Sequence, residues 1–465
     1  MERYRGPADS GHASGTSLGS YVPLHVSVAN ANRSRLKVDL VSPSPSRALL
    51  TMPEYCGTLA AARCLAEHGV RVTTASDRRF PPAAFSSAVA KHARCPGLHA
   101  PEELVEWLLE AGWREPGSVL YPTCDDFAWL QSVHDDRLRE RFATYSPSED
   151  VIDAVLDKKR LHDACRAVGI DTPETHFPES EEAAAELGAL LEGPLLLKQR
   201  TQVLSRTHSK GTIVPSARDL PIAYRRFVAE NAHGQAVLDR LPAAALPLVQ
   251  AYFHEGVSGS VLVSGFIDET GELFAARAAR KVLQFPRTLG IALCLEAIEV
   301  EPALSRAVRD LCAHIGYFGV FQIELLTAGE RHLLIDFNPR YYHYLAFDIA
   351  RGMPLPRMVQ AAAARDREEL ARLVAGARDD RGPRAFSYRL QLEELLIAQR
   401  ISGTMPRADA ARWRAWFRSH AHDEDIVDAV WSREDRVPSL VDLATHVFSR
   451  LRHARSFVQK VALDR

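Results

Sequence analysis

Hydrophobic and polar positions first fall into a clear pattern at residue 47. RALLTM and VRVTTAS are short apolar segments, and between them GTLAAARCLAEHG has helical spacing and ends in a glycine. The outer segments predict strands, and the middle one predicts a helix with a left-handed cap. A strand, a helix and a strand in this order predict a parallel βαβ unit. SVLYPTCDDFAWLQSV adds a strand that ends in a polar loop, where open α/β sheets usually bind ligands, so Thr123 and Asp125 are candidate substrate residues.

The rest of the chain alternates helical and extended segments. Helical spacing runs from Ser148 to Gly169, PLLLKQ and PLVQAYF predict strands, and SVLVSGFIDETGELFAARAARKV predicts a hairpin that turns at DETGE. The first 46 residues mix Ser, Gly, Pro, Asn and Arg without sustained periodicity, which predicts a loosely ordered tail. The last hundred residues are predicted to be helical and are rich in arginine.

The segment FGVFQIELLTAGERHLLIDFNPR has the strongest alternation in the chain. Six apolar residues fall at odd-numbered positions: Phe321, Ile323, Leu325, Leu333, Ile335 and Phe337. The polar residues Gln322, Glu324, Asp336, Asn338 and Arg340 fall at even-numbered positions. Two such strands joined at TAGER predict an antiparallel hairpin with one core face. If the turn is centred on Glu330, Glu324 lies opposite Asp336, and cross-strand Cβ atoms are about 4.5–5.5 Å apart.

Two carboxylates this close repel each other unless a cation lies between them. Oxygen ligands from two acids and an amide suit Mg²⁺, and Arg340 on the same face could hold a phosphate or a substrate carboxylate. The alternative is a solvated polar face of an amphipathic hairpin. The Asn-Pro-Arg sequence in this register favours the metal and phosphate site.

Composition narrows the class of protein. The 465 residues carry a formal net charge of -2, so no global basic field predicts a nucleic acid or membrane partner. Seven scattered cysteines without ligand-like spacing predict reduced thiols. We find no apolar run of about 18 residues and no signal-peptide core, so we expect a cytoplasmic enzyme.

The segments FQIELL and LLIDFNPR resemble the metal-binding signature of the carbamoyl-phosphate-synthase-like ATP-grasp ligases. The resemblance extends over about residues 47–360, and DAVWSREDRVPSL also resembles the branch that contains D-aspartate ligase. It implies an α/β protein with an ATP-grasp fold, in which two α+β lobes clasp ATP, preceded by a Rossmann-like domain and followed by a helical extension. The implied regions are a tail (1–46), the Rossmann-like domain (47–147), the N-lobe and lid (148–249), the C-lobe with the metal site (250–362) and a helical region (363–465).

The resemblance also implies roles for individual residues. Glu324, Asp336 and Asn338 match the positions that bind two Mg²⁺ ions, for which Mn²⁺ can substitute, and Arg340 matches the residue that steadies the transferred phosphate. Lys198 matches the lid lysine that contacts ATP phosphates, and Lys158 or the adjacent Lys159 matches an earlier phosphate lysine. A lysine at the end of an apolar strand could instead reach water, and a lysine pair could lie on a solvated helix face.

Further candidate residues follow from the same alignment. The basic segment RTQVLSRTHSKG takes the place of a phosphate-covering loop, and PLVQAYFHEG that of the adenine-binding hinge. These segments and AARAARKVLQFP supply, as candidates for phosphate, adenine, ribose or acceptor, the residues Arg200, Arg206, Lys210, Gln250, Ala251, Tyr252, Glu255, Arg277, Arg280 and Lys281. The Tyr341–Tyr344 segment is expected to line the acceptor pocket, with His343 as a hydrogen-bonding residue rather than a general base. An exposed basic loop and a charged strand edge are the alternatives.

The implied reaction is ATP-dependent, ADP-forming C–N ligation of a small-molecule acceptor and an amino acid or similar amine. IDFNPRYYHYLAFDIARGMPLP also resembles mycosporine-glycine synthases, in which the phosphorylated group would be an enolised ring carbonyl. Two positions depart from the family pattern: Asp336 replaces a usual Glu, and Ala251 replaces a common acid. If these departures disable chemistry, a non-catalytic ATP-binding regulator is the alternative. A phosphotransferase that stops after acceptor phosphorylation would use the same ATP site and is a further alternative. The helical C-terminal region is expected either to cap the acceptor site or to form a homodimer.

Overall fold

The computed structural model describes most of the chain from residue 47 onward. The described ranges are 47–205, 211–230, 233–253, 260–285, 291–402, 407–420 and 425–452. The predicted N-terminal tail and the candidates Arg206, Lys210 and Glu255 lie outside the described residues.

A four-stranded parallel sheet comes first in the chain, as the βαβ pattern predicted. Its elements and the two helices that follow are β1 (Arg47–Thr51), α1 (Cys56–Glu67), β2 (Arg71–Ser76), β3 (Val89–Arg94), α2 (Pro101–Arg114), β4 (Val119–Tyr121), α3 (Asp125–Val133) and α4 (Asp135–Arg139). The strand order is β3-β2-β1-β4. The Sγ atom of Cys124 caps α3 by accepting the Phe127 N–H, so Asp125 begins a helix at the carboxyl end of β4.

A second four-stranded sheet follows, with antiparallel pairs in the order β5-β8-β6-β7. This part contains α5 (Glu149–Leu156), α6 (Lys158–Ala167), β5 (Thr175–His176), α7 (Glu181–Leu190), β6 (Leu195–Gln199), β7 (Thr212–Val214), α8 (Leu220–Glu230), α9 (Gln235–Arg240) and β8 (Pro247–Ala251). Ala184 of α7 and Leu220 and Tyr224 of α8 pack with Leu197 and Val249 of the sheet into a small separate core.

The third sheet has seven strands in the order β13-β12-β9-β10-β11-β14-β15. The elements of this part are β9 (Val261–Ile267), β10 (Phe274–Phe285), β11 (Ile291–Ile298), α10 (Pro302–Ile315), β12 (Gly319–Ala328), β13 (Arg331–Asn338), α11 (Leu345–Ala350), α12 (Leu355–Ala363), α13 (Arg367–Gly376), β14 (Ala385–Ser387), α14 (Arg389–Ser402), α15 (Arg407–Ser419), β15 (Ile426–Asp428) and α16 (Val437–Arg452). Its two faces contribute to two large cores that also include residues of the first sheet.

The predicted acidic hairpin is formed by β12 and β13, and Glu324 pairs with Asp336 as predicted. The alternation was wrong at one point, however, because Leu325 pairs with Leu334 and a one-residue bulge leaves Ile335 without a partner of its own. Leu334, rather than Ile335, therefore joins Phe337 in one hydrophobic cluster, and Leu333 is buried as well. Without this bulge, the register set by the turn would place Asp336 out of line with Glu324.

The C-terminal region is not only helical, because β14 and β15 extend the third sheet. The DAVWSREDRVPSL segment attaches this region to the first sheet. The Arg63 side chain of α1 donates to the Asp435 carboxylate, to its backbone carbonyl and to the Val430 carbonyl, each at 3.0 Å. Ser86 Oγ donates to the same carboxylate at 2.6 Å. The segment that resembles the D-aspartate ligase branch is therefore the one that packs the C-terminal region against α1.

All seven cysteines are free thiols, as their scattered spacing predicted. Burial raises the pKa of Cys64, Cys95 and Cys165 to about 12, so these thiols stay protonated at neutral pH. Within the ranges given above, no helix is both long enough and apolar enough to cross a membrane.

Candidate active site

A cavity of about 230 Å³ lies where the acidic hairpin meets the start of α6 and the corner between β4 and α3. The charged residues that line it are Asp125, Lys158, Lys281, Glu324, Asp336 and Arg340. They come from five separate segments of the chain. Asn338, Tyr342, His343 and Tyr344 complete the part of the wall that the sequence predicted.

The six charged side chains form three ion pairs. Lys158 Nζ donates to Asp336 Oδ1, and Lys281 Nζ donates to Glu324 Oε1. Arg340 binds Asp125 with two parallel bonds, from Nε to Oδ1 at 2.9 Å and from Nη2 to Oδ2 at 3.2 Å. Each acid of the cavity is thus hydrogen-bonded to a basic side chain, and the formal charges of the six groups cancel.

The start of α6 determines which of the two adjacent lysines reaches the cavity. Asp157 caps the helix by accepting the N–H groups of Lys159 and Arg160, and Lys158 is the first helical residue. Lys159 turns outward and pairs with Asp163 at 2.7 Å. Of the two adjacent lysines, Lys158 is therefore the one that lines the cavity, and its contact with phosphate stays a prediction. Arg200 was predicted to bind phosphate by charge, but it is buried and binds Asp157 at 2.8 Å.

Strand β10 brings only one of its three predicted basic residues to the cavity. Lys281 is almost fully buried there, with Gln284 and Glu324 as partners. Arg280 points to the other face of the strand and pairs with Glu296 at 2.5 Å, because successive side chains in a strand alternate. Arg277 is buried away from the cavity and donates to the carbonyl groups of Arg351 and Asp379. The predictions for Arg280 and Arg277 as site residues are therefore not met by this geometry.

The Asn-Pro-Arg segment is held by its own network. Asn338 Nδ2 donates to Gln322 Oε1 at 2.7 Å, and this bond directs Asn338 Oδ1 toward Arg340 Nη2 at 2.8 Å. Gln322 lies on the polar face of β12, two positions before Glu324, but its side chain was not assigned a role from the sequence. In the structure it sets the orientation of the Asn338 amide.

Nearby positive charge favours the ionised form of Asp336. Burial alone would raise the pKa of Asp336, but the nearby charges of Lys158, Lys198 and Arg340 outweigh it and hold the pKa below its usual range. Burial would lower the pKa of Arg340, but Asp125 and Asp336 raise it above the ordinary value. Asp336 is therefore a carboxylate at neutral pH.

The predicted adenine hinge lies beside a smaller cavity that Lys158, Lys198, Gln250 and Ile335 line. Gln250 Nε2 donates to Thr175 Oγ1 at 2.9 Å. The Ala251 N–H donates to the Glu174 carbonyl at 2.9 Å, and the Tyr252 N–H to the Pro194 carbonyl at 3.2 Å. In this conformation both backbone amides already have acceptors, and adenine binding at this hinge stays a prediction.

The aromatic segment after the hairpin forms only part of the predicted pocket. Tyr342, His343 and Tyr344 line the cavity, whereas Tyr341 stacks on Tyr121 with ring centroids 5.7 Å apart. Thr123 does not reach the cavity, because its hydroxyl donates to the Thr51 carbonyl at 2.9 Å.

The structure adds residues that the sequence did not identify. Asp348 is fully buried and accepts hydrogen bonds at 2.5 Å from both Tyr342 Oη and Ser264 Oγ, which fixes the Tyr342 ring at the cavity. Gln202 and Val203 form another part of the wall. The tyrosine cluster in the sequence could have indicated that a buried hydroxyl partner was needed.

The donor set fits a hard divalent cation. Glu324 and Asp336 are direct cross-strand neighbours, and Asn338 lines the same cavity with an amide oxygen. In the described part of the chain, no group of three or more His, Cys, Asp or Glu side chains could hold a metal ion. Two carboxylates and an amide are the oxygen-only set that suits Mg²⁺.

Comparison with known proteins shows the fold. No protein-family profile matches the chain, and no curated protein sequence matches it. Among solved structures, a Campylobacter jejuni biotin carboxylase–β,γ-ATP complex is similar with TM-score 0.55 and 15% identity, covering 68% of this chain and 70% of that one. An L-amino acid ligase from Bacillus licheniformis is similar with TM-score 0.52 and 15% identity, covering 69% and 76%.

A third solved structure is the biotin carboxylase domain dimer of the Hydrogenobacter thermophilus 2-oxoglutarate carboxylase, in complex with MgADP, ADP and bicarbonate. It is similar with TM-score 0.55 and 13% identity, covering 69% of each chain. The chain therefore has the ATP-grasp fold that its sequence predicted.

Proposed function

We propose that the protein is an ATP-dependent, ADP-forming C–N ligase that phosphorylates an acceptor oxygen and then joins the activated carbon to an amine. One observation carries this proposal. Lys158 and Lys281 pair with the two carboxylates of the acidic hairpin, and Arg340, paired with Asp125, lines the same cavity. On an ATP-grasp fold, such a cavity offers cations for phosphate oxygens and oxygen ligands for a metal ion.

Two balanced steps follow from this arrangement. The acceptor oxygen attacks the γ-phosphorus of ATP, the bond between that phosphorus and the bridging oxygen breaks, and ADP leaves with the electron pair. The amine nitrogen then attacks the acceptor carbon, the carbon–oxygen bond to the phosphate breaks, and phosphate leaves while the amine loses a proton. Lys158 and Lys281 would neutralise charge on the phosphate oxygens, and Arg340 would face the transferred group.

Magnesium fits the proposal through Glu324, Asp336 and Asn338. When bound, Mg²⁺ would neutralise phosphate charge and align the ATP phosphates. The low pKa of Asp336 supports this role, because a metal ligand must be deprotonated. The solved complexes with MgADP and with a β,γ-ATP ligand support the use of a magnesium nucleotide in this fold.

We further propose a chemical class for the acceptor and for the amine. The sequence resemblance to mycosporine-glycine synthases favours an enolised ring carbonyl, with an amino acid as the amine. The name of the similar L-amino acid ligase supports an amino acid among the substrates. Free thiols support the expected cytoplasmic location, and the dimer named for the Hydrogenobacter domain supports a homodimer.

The test is release of ADP and phosphate from Mg²⁺-ATP, measured against an array of carboxylic acids, cyclic enolic ketones and amino acids. A ligase requires an acceptor and an amine together. Asp336→Asn should reduce this release by about a hundredfold or more, because it removes charge at the metal site. Asp171→Asn is the matched control, since Asp171 pairs with Arg331 at the exposed end of the same hairpin.

Other outcomes would change the assignment. Release that needs only the acceptor would indicate a phosphotransferase. ATP binding without release across the whole array would favour a regulator. Release that is equally fast in Asp336→Asn would place the reaction elsewhere in the molecule and contradict the proposal.

A further inference from the structure

The guanidinium of Arg340 has little capacity left for an external anion. Its Nε and Nη2 donate to Asp125, Nη2 also donates to Asn338 at 2.8 Å, and Nη1 donates to the Tyr341 carbonyl at 3.2 Å. Arginine has five N–H donors, and these contacts use four of them. Arg340 can therefore offer a two-pronged face to a ligand only if Asp125 leaves.

Asp125 differs from the other two acids of the cavity. Glu324 and Asp336 lie on the hairpin that is predicted to hold the metal, so a metal would draw both acids from their lysine partners. Asp125 instead begins α3 after β4, at the end of the parallel sheet where ligands of such sheets usually bind. Among the described residues, the side chain that binds the Asp125 carboxylate is Arg340, and no second cation pairs with it.

The pairing geometry is the one that arginine uses for ligands. Two parallel N–H···O bonds to a carboxylate match those that a substrate carboxylate or a phosphate would make. We infer that Asp125 is a placeholder: it occupies the anion-binding face of Arg340 while the site is empty, and an anionic group of the acceptor or its phosphate replaces it. The inference rests on the proposed function only for the identity of that replacing group.

A placeholder has a measurable effect on affinity. The Arg340 side chain is only 20% exposed, and a mostly buried guanidinium without a counter-ion is unfavourable, so Asp125 stabilises the empty site. An incoming anion must displace Asp125, which weakens the apparent affinity for that anion. Removal of the Asp125 charge should therefore tighten anion binding, whereas a residue that merely positions Arg340 would weaken binding when it is removed.

The test is calorimetric titration of the full chain with inorganic phosphate, without ATP or Mg²⁺. Asp125→Asn should bind phosphate about tenfold more tightly than the unmodified chain, because the competing carboxylate is gone. Because Lys158 and Lys281 also face the cavity, Arg340→Gln is added to Asp125→Asn. This second change should abolish the gain if the gain acts through Arg340.

Asp126→Asn is the matched control. Asp126 lies next in the chain but accepts the Leu204 N–H at 2.8 Å instead of binding Arg340, so its neutralisation should change phosphate affinity less than about threefold. Equal or weaker phosphate binding by Asp125→Asn would overturn the inference. A gain that survives Arg340→Gln, or an equal gain in Asp126→Asn, would do the same.

A second variant protects the test against misfolding. Asp125→Ser keeps a residue that is well tolerated at the start of a helix, and it should reproduce the gain. Thermal unfolding of each variant shows that it is folded before the titration. No turnover is measured, so failure to find ligase activity leaves this result intact, and a failed gain leaves the ligase proposal intact.

Discussion

Lys281 and Arg280 are adjacent in the chain, yet their side chains lie on opposite faces of β10. Lys281 is buried in the cavity beside Glu324, whereas Arg280 is largely exposed and pairs with Glu296. Sequence similarity proposed both as catalytic, although strand alternation allows only one of two neighbours to face a given side. Comparison of these two residues therefore distinguishes the effect of a charge inside the cavity from the effect of a charge one residue away on the surface.

We predict that Lys281→Met lowers kcat for ADP release by about a hundredfold, because it removes a positive charge from the place where phosphate charge develops. Methionine keeps most of the length and the apolar stem of lysine. The measurement is steady-state ADP release with the acceptor and amine found in the array.

Arg280→Met is the control for this prediction. It removes the same charge one residue away, and we expect a change in kcat of less than about threefold, since exposed ion pairs contribute little. Equal losses in the two variants would show that β10 acts through its overall charge rather than through Lys281 at the cavity.

The acidic residues of the site could be predicted from the alternation of polar and apolar residues along the chain. The alternation in FQIELL and LLIDFNPR correctly placed Glu324 and Asp336 on one face, because a period of two encodes a face. Their direct pairing also depends on the bulge at Ile335, which the sequence did not predict. The partners of Arg200, Arg277 and Asp125 could not be predicted, because each lies far away in the chain. A sequence shows that a residue is charged, but the counter-ion depends on tertiary packing.

At the level of elements, the long regular segments were predicted and the short ones were not. The βαβ unit and the acidic hairpin have enough periodic positions to define them. Strands β14 and β15 have three residues each, which is too short for any period to show. The bulge at Ile335 was also missed, because a one-residue insertion leaves the apolar composition of the strand unchanged.

The contact between α1 and the C-terminal segment is open to a stability test. We predict that Arg63→Ala lowers the free energy of unfolding by about 3 kcal/mol, because it leaves the mostly buried Asp435 carboxylate without its counter-ion. The measurement is urea-induced unfolding of the full chain.

Arg114→Ala is the control for this contact. Arg114 pairs with Glu110 on the surface of α2, and both side chains are more than half exposed. Its loss should change the free energy of unfolding by less than about 0.5 kcal/mol. If the two variants unfold at the same urea concentration, the Arg63 contact does not stabilise the fold.

For the whole molecule, the proposed function predicts a link between ligand and stability. Mg²⁺-ATP at about a hundred times its Kd should raise the free energy of unfolding by about 2.7 kcal/mol, because it binds the folded chain alone. Thermal unfolding with Mg²⁺-ATP, with ATP plus EDTA, and with Mg²⁺ alone measures this. We expect EDTA to remove most of the increase, and an increase that is insensitive to EDTA would argue against a metal bridge at the acidic hairpin.

The contact between Arg63 and Asp435 also has a consequence for the order of folding. The first parallel sheet needs only residues up to 121, and it can form while the ribosome is still translating the rest. The seven-stranded sheet takes the last two strands on one side from residues 385–387 and 426–428, and the partner of Arg63 lies 372 positions later in the chain. Nascent chains that stop before residue 435 should therefore lack the closing contact and expose the α1 face to chaperones.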